Sequence, residues 1–460
     1  MEYVSTRGGD AGQAFSSILL AGVAADGGLY MPRTIDPLPE DTIERLRHAD
    51  YATVATELIA RFAGDSMDRA VIADAVSSAL ATFRHPAIAP HRQLDESRWL
   101  LELFHGSTLA FKDYALQVVG ELIERQLAKE GRRATVVCAT SGDTGAAAAA
   151  AFAGRENVSV VVLHPEGRVS EVQRRQMTTL AEDNVFNYAV DGDFDDCQAM
   201  VKALFVDPAA KPLNLTAVNS INWARITAQI AYYAWSSLRL SGGGPVHYVV
   251  PTGNFGNILA GDVARTLGFP VGRLALSSND NDVLPRFFED GRMQRRETVR
   301  TISPSMDIQV SSNFERALWI ACDGDASAVA GYQRQLAEEG GYTLAPEALE
   351  RLRSRFAALR CTEADALEEM ARTWRETGEM LCPHTATANW AARQLQGAGP
   401  VVTVATAHPA KFPDAVRRAT GREPPRPSLL DRVMQAEEHY DHCPADAARL
   451  RDELLRRAAG

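Results

Sequence analysis

The sequence predicts an α/β protein built on parallel β-sheets, and three observations carry that expectation. Predominantly apolar runs, each with a single polar residue, recur at residues 134–139, 158–163, 246–250 and 401–405. Helical patterns, with apolar residues three and four apart, stand between them. Several runs lead into a small polar loop and then a helix, as in strand–helix–strand units covered on both faces.

From the N-terminus, residues 1–95 read as a mainly helical region, with apolar spacing through Ile43 and Leu46 and again through Val71, Ile72, Ala75, Val76 and Leu80. A helix is expected from Lys112 to about Leu127. The run 134–139 is a buried strand that leads through Thr140-Ser141-Gly142-Asp143-Thr144-Gly145 into an alanine-rich helix. The alanines 146–151 suit a helix packed closely on a sheet. The runs 246–250 and 401–405 lead into Thr252-Gly253-Asn254-Phe255-Gly256-Asn257 and Thr406-Ala407-His408-Pro409. Three such loops collect at the carboxyl ends of parallel strands, the edge where open α/β sheets bind ligands. Residues 420–427 form a Pro/Arg-rich loop before a helical tail at 426–460.

Composition narrows the function. A chain of 460 residues is long enough for two or three domains. The formal net charge of -11 and the lack of a dense Lys/Arg run argue against a nucleic-acid or anionic-membrane partner. An anionic small molecule remains open, because a few placed cations and amides outweigh net charge inside a pocket. No apolar run is long enough to span a bilayer, and residues 1–4 lack a signal-peptide layout. The six cysteines are scattered without a Cys-x-x-Cys pair, so reduced thiols are expected, with no zinc site and a cytoplasmic location.

Two loops and one lysine carry chemistry. Glycines in 253–257 let the backbone approach an anion, and the following helix offers its free amides. Read alone, this loop serves equally as a turn and helix cap. Residues 141–145 form a second loop of the same kind, and two such cradles suit two anionic groups. Lys112, flanked by Leu109, Ala110 and Phe111, opens an amphipathic helix. Partial burial there would favour the neutral amine that Schiff-base chemistry requires.

Leu103-Phe104-His105-Gly106-Ser107-Thr108-Leu109-Ala110-Phe111-Lys112-Asp113 resembles the cofactor-lysine motif of threonine synthases. The segments 139–145, Asn219-Ser220-Ile221-Asn222-Trp223-Ala224-Arg225 and Pro251-Thr252-Gly253-Asn254-Phe255-Gly256-Asn257 resemble further motifs of that family. So do Pro383-His384-Thr385-Ala386 and Ala405-Thr406-Ala407-His408-Pro409-Ala410-Lys411-Phe412. Ser5-Thr6-Arg7-Gly8 and Asp26-Gly27-Gly28-Leu29-Tyr30-Met31-Pro32 resemble its longer subgroup. The matches fall in order along nearly the whole chain.

The resemblance implies a fold-type II pyridoxal-phosphate enzyme, of the tryptophan synthase β-like kind. It would be a lyase converting O-phospho-L-homoserine and water into L-threonine and phosphate. The implied division has a large cofactor-binding domain of residues 96–130 and 246–425, a smaller inserted domain of 131–245, and the two terminal regions. Lys112 would hold the cofactor as a Schiff base and act as the catalytic base once freed. Gly253, Asn254, Phe255, Gly256 and Asn257 would hold the cofactor phosphate, and Thr406 would meet the pyridine nitrogen. Ser141, Asp143, Thr144, Asn219 and Arg225 would surround the substrate, with Arg225 as its phosphate partner. The expected state is a monomer or homodimer.

The chain departs from the family at Ser107, where proline is common, and at Thr252, where serine is usual. Asp143 stands where other fold-type II enzymes carry asparagine. His105, His384 and His408 are expected as structural hydrogen-bonding groups, and Arg174-Arg175 and Arg295-Arg296 as solvated surface. The rival readings are a paralogous lyase or synthase acting on a related phosphorylated or activated amino acid, and a catalytically silent binding protein.

Overall fold

The computed structural model describes residues 1–395 and 399–459. Two sheets organise it. The larger has six strands in the order Phe356–Arg360, Val271–Ser278, Val246–Pro251, Val401–Ala405, Arg98–Glu102, His91–Gln93, parallel except for the last pair. The smaller has five parallel strands in the order Asp441–Pro444, Val185–Asp191, Val158–Pro165, Ala134–Ala139, Leu215–Thr216. The expected strands occupy central positions: every residue of Val246–Pro251 and of Val401–Ala405 is buried. Full burial on both faces is the reason such strands read as continuous apolar runs.

Three helices set the floor of the site. Lys112–Glu130 runs 19 residues to a left-handed cap at Gly131. Asp143–Phe152 lies against it, with Ala146 to Ala149 buried. The approach is close enough that a Cβ on Gly120 would meet the Ala151 carbonyl oxygen at 2.8 Å. Trp223–Leu240 is capped by Asn222, whose side chain accepts from the Ala224 amide.

The N-terminal region combines helices Tyr51–Ala63 and Arg69–Leu80, capped by Asp50 and Asp68, with a three-stranded antiparallel sheet of Tyr3–Ser5, Ala11–Gln13 and Tyr30–Pro32. Thr6 Oγ1 donates to Glu315 at 2.6 Å, and Arg7 grips the same carboxylate with two nitrogens. The C-terminal segment, expected to be helical, also contributes a strand: Cys443 pairs in register with Val190 on the edge of the smaller sheet.

Arg174 and Arg175, expected as solvated surface, are instead half-buried and paired. Both bind Glu438, at 2.8 and 3.0 Å, and Thr178 Oγ1 donates to the same carboxylate. Arg295 and Arg296 are exposed. All six cysteines are free. No helix is long and apolar enough to cross a membrane, and no acidic, histidine or cysteine cluster could hold a metal, among the described residues.

Candidate active site

Lys112 is the first residue of its helix and is buried. The loop before it is tied to the end of the strand Val401–Ala405. The Phe111 amide donates to the Thr406 carbonyl at 2.8 Å, and the His408 amide to the Leu109 carbonyl at 3.0 Å. Lys112 and Thr406 therefore sit on adjoining backbone, although they are 294 positions apart in the numbering. The Thr406 amide in turn donates to Thr385 Oγ1 at 3.3 Å.

Asp143, buried at the start of its own helix, faces Lys112: Nζ stands 3.4 Å from Oδ2. The other carboxylate oxygen accepts from Gln173 Nε2 at 2.9 Å and meets Lys411 Nζ at 2.9 Å. Burial alone would raise Asp143, but Lys411, Lys112 and the Gln173 amide hold it well below the usual carboxylate range. Lys112 is shifted the other way. Burial lowers it, and Lys411 and Arg225 add to that lowering against the pull of Asp143. The arrangement favours an ionised carboxylate beside a lysine that loses its proton readily.

Ser305 gathers the rest. Its Oγ lies 3.4 Å from Asp143 Oδ2, and its amide donates to His384 Nε2 at 3.2 Å. Its carbonyl oxygen would stand 2.9 Å from a Cβ on Gly253, so that position admits only glycine without displacement. The loop Gly253–Asn257 thus reaches the lysine through Asp143 and Ser305. Phe255 takes a left-handed conformation, φ 63°, at the head of the helix Gly256–Thr266. No side chain caps that helix, which leaves its first amides for a ligand. The loop is braced from outside, where Ser311 Oγ donates to the Gly253 carbonyl at 2.7 Å and Asn313 donates to that of Asn254.

Two buried groups ask for an anion. Asn257 Oδ1 accepts from the hydroxyls of Tyr232 and Tyr233, while its Nδ2 has no partner. Arg225 is buried in the first turn of its helix; one nitrogen donates to the Val218 carbonyl at 3.0 Å and Nε has no partner. Burial lowers this guanidinium to about 10, and no carboxylate offsets it. An uncompensated buried cation is costly, and a bound anion would remove the cost.

Of the remaining expected residues, Thr144 is half-buried in the first turn of Asp143–Phe152, whereas Ser141 and Asn219 are exposed on their loops. His105 pairs with Glu102, and His408 Nδ1 accepts from the Ala410 amide. Both His384 and His408 are held to about 4 by burial, but His384 departs from the others in being fully enclosed and in feeling Asp143, Lys112 and Lys411 directly. Sequence reasoning missed Lys411, Ser305, Tyr232 and Tyr233 as parts of the site. Lys411 lies inside the segment 405–412 and was the one with a signal, being a lysine set between Ala410 and Phe412.

Comparison with known proteins accounts for this set. Residues 78–349 match the family described as pyridoxal-phosphate dependent enzyme. Residues 2–80 match the threonine synthase N terminus and 385–453 the threonine synthase C-terminal region. The threonine synthase of Pseudomonas aeruginosa is 43% identical over 98% of this chain and 97% of its own length. That of Corynebacterium glutamicum is 38% identical over 99% and 98%. The crystal structure of pyridoxal-phosphate-bound threonine synthase from Brucella melitensis superposes with a TM-score of 0.97 at 44% identity, covering 100% of both chains. The yeast enzyme superposes at 0.94 and 33% identity, covering 100% of this chain and 99% of its own.

The residues present fit a pyridoxal-phosphate group: a buried amine for its aldehyde, and an uncapped helix start with an unpaired amide nitrogen for its phosphate. The chain belongs to the threonine synthase family of pyridoxal-phosphate-dependent enzymes.

Proposed function

We propose that this chain converts O-phospho-L-homoserine and water into L-threonine and phosphate, and that the residues named above divide the work. One observation carries the reading: a deprotonatable buried lysine shares a site with a buried arginine that has no acidic partner. The amine suits the cofactor aldehyde, and the arginine suits a second phosphate, carried by the substrate.

Bound pyridoxal phosphate supplies stabilisation of negative charge at the substrate α-carbon. Lys112 Nζ would hold the cofactor by its aldehyde and, as a free amine, would move the substrate α-proton. Gly253, Asn254, Phe255, Gly256 and Asn257 would hold the cofactor phosphate, and the Thr406 hydroxyl would serve the ring nitrogen as a neutral partner that does not enforce its protonation. Asp143, Ser141, Thr144 and Asn219 orient the substrate, and Arg225 binds its phosphate. Burial of Lys112, Asp143 and Arg225 excludes bulk water and strengthens each of these contacts.

The proposal extends to the organisation of the chain: residues 96–130 and 246–425 as the cofactor-binding domain, 131–245 as the smaller domain, and 1–95 and 426–460 as terminal regions. It takes the protein as cytoplasmic, a monomer or homodimer, with a small-molecule substrate and no nucleic-acid or membrane partner. The rival paralogue is not favoured by any feature of the site. The test is release of phosphate and formation of threonine, assayed with O-phospho-L-homoserine, L-serine and L-threonine as substrates. Turnover confined to the phosphorylated substrate supports the proposal; turnover of serine or threonine without it overturns the substrate assignment.

A further inference from the structure

Two lysines share one carboxylate at the heart of the site, and they do not share it equally. Lys411 Nζ is 2.9 Å from Asp143 Oδ1 and has a fully buried side chain, while Lys112 Nζ is 3.4 Å from Oδ2. Lys411 also donates to the Thr108 carbonyl at 2.7 Å, so it is pinned on two sides. We propose that Lys411 is a positioning residue whose ammonium neutralises Asp143, so that the carboxylate does not hold Lys112 in its charged form.

The argument is one of charge count. A buried carboxylate facing a single amine would stabilise the ammonium state of that amine. With Lys411 in place the carboxylate is already balanced, and the remaining neighbours of Lys112 are the Arg225 cation and the neutral His384. The Arg225 cation opposes a positive charge there, as Lys411 itself does, and the neutral His384 does not stabilise one. The Phe111 ring, 5.2 Å from Nζ, favours such a charge. Asp113 also senses Lys411, but both its oxygens are engaged by Thr108, through the amide at 2.8 Å and the hydroxyl at 2.7 Å. Lys112 is thereby left more readily deprotonated and so better able to act as a nucleophile and base, a meaning that rests on its reading as the cofactor-linked amine.

The test measures the Lys112 amine itself in the full-length chain stripped of cofactor. Trace labelling with acetic anhydride across pH, read by mass spectrometry of the Lys112 peptide, gives the pH at which that amine becomes reactive. Lys411→Met should raise this midpoint by about 1 pH unit or more, because the carboxylate then has only Lys112 to pair with. Asp143→Asn should lower it, because Lys411 is then uncompensated. The double variant should return close to the parent value. Removing Lys411 does not orphan the Thr108 carbonyl, which also accepts from Gln176 Nε2 at 2.9 Å. A merely structural Lys411 would move both single variants in the same direction or in neither, and either result overturns the proposal. Should Lys411→Met fail to fold, Asp143→Asn decides alone: a midpoint that stays or rises overturns it. Failure of the functional reading is seen separately, as absence of a cofactor absorbance band in the parent protein.

Discussion

Tyr233 donates its hydroxyl to Asn257 Oδ1 at 2.7 Å, and Tyr232 does the same at 2.8 Å. With its oxygen saturated, the carboxamide of Asn257 has one orientation, and its unpartnered nitrogen is the end left for a ligand. Removing both hydroxyls by Tyr232→Phe and Tyr233→Phe should free the amide to rotate. The expected outcome is a cofactor dissociation constant raised about 5- to 10-fold, the scale of one lost hydrogen bond. Titration of the stripped protein with pyridoxal phosphate measures it, and an unchanged constant refutes the orientation role.

Arg225→Met separates binding from stability. The buried guanidinium lacks a carboxylate, so an apolar residue of similar reach should leave the stripped protein's melting temperature unchanged or higher. The same variant should raise KM for O-phospho-L-homoserine by 10²-fold or more, on the order of 3 kcal/mol of lost charge-assisted bonding, with cofactor affinity little changed. Loss of cofactor as the main defect would place Arg225 on the wrong phosphate.

Three histidines, the buried His384 and the half-buried His91 and His408, are each held down to about 4 by loss of solvation. Their ordinary value is near 6.5, so between those limits the unfolded chain binds protons that the folded chain refuses. Stability is therefore fully present above about pH 6.5 and is lost as pH falls. Melting temperature should decline steadily from pH 6.5 to 5, before carboxylates titrate, and His384→Gln should make that decline shallower. A flat profile over this window would remove the assignment.

Glu438 gathers Arg174, Arg175 and Thr178, joining the segment after helix Ser428–Gln435 to helix Glu171–Thr178. Glu438→Gln keeps the shape and removes the charge both arginines require. Hydrogen exchange should accelerate in residues 428–444 while the six-stranded sheet stays protected. Uniform acceleration through both sheets would show that the contact is not a local latch.

What was legible in the sequence was whatever is local. Val246–Pro251 and Val401–Ala405 are buried on both faces, so their apolar runs announced strands directly. Val271–Ser278 carries Gly272 and Arg273 near its start, and Phe356–Arg360 continues from helix Pro346–Arg355, so neither shows a strand period. Lys112 and the 253–257 loop stand out because glycines and an isolated lysine are unusual in apolar surroundings. Ser305 carries no such mark. It joins Asp143 and His384 only through the fold, from the short 3-10 turn Pro304–Met306, far from both in the chain.

The smaller sheet ends on Asp441–Pro444, which pairs with Val185–Asp191. During synthesis, the Val185–Asp191 strand emerges some 250 residues before the segment that covers it. Through most of translation its backbone donors and acceptors on that side face outward, available to any strand nearby. Newly made chains are therefore open to mispairing at this edge until Asp441–Pro444 emerges, and a chaperone that shields the strand over that interval would raise the yield of folded protein.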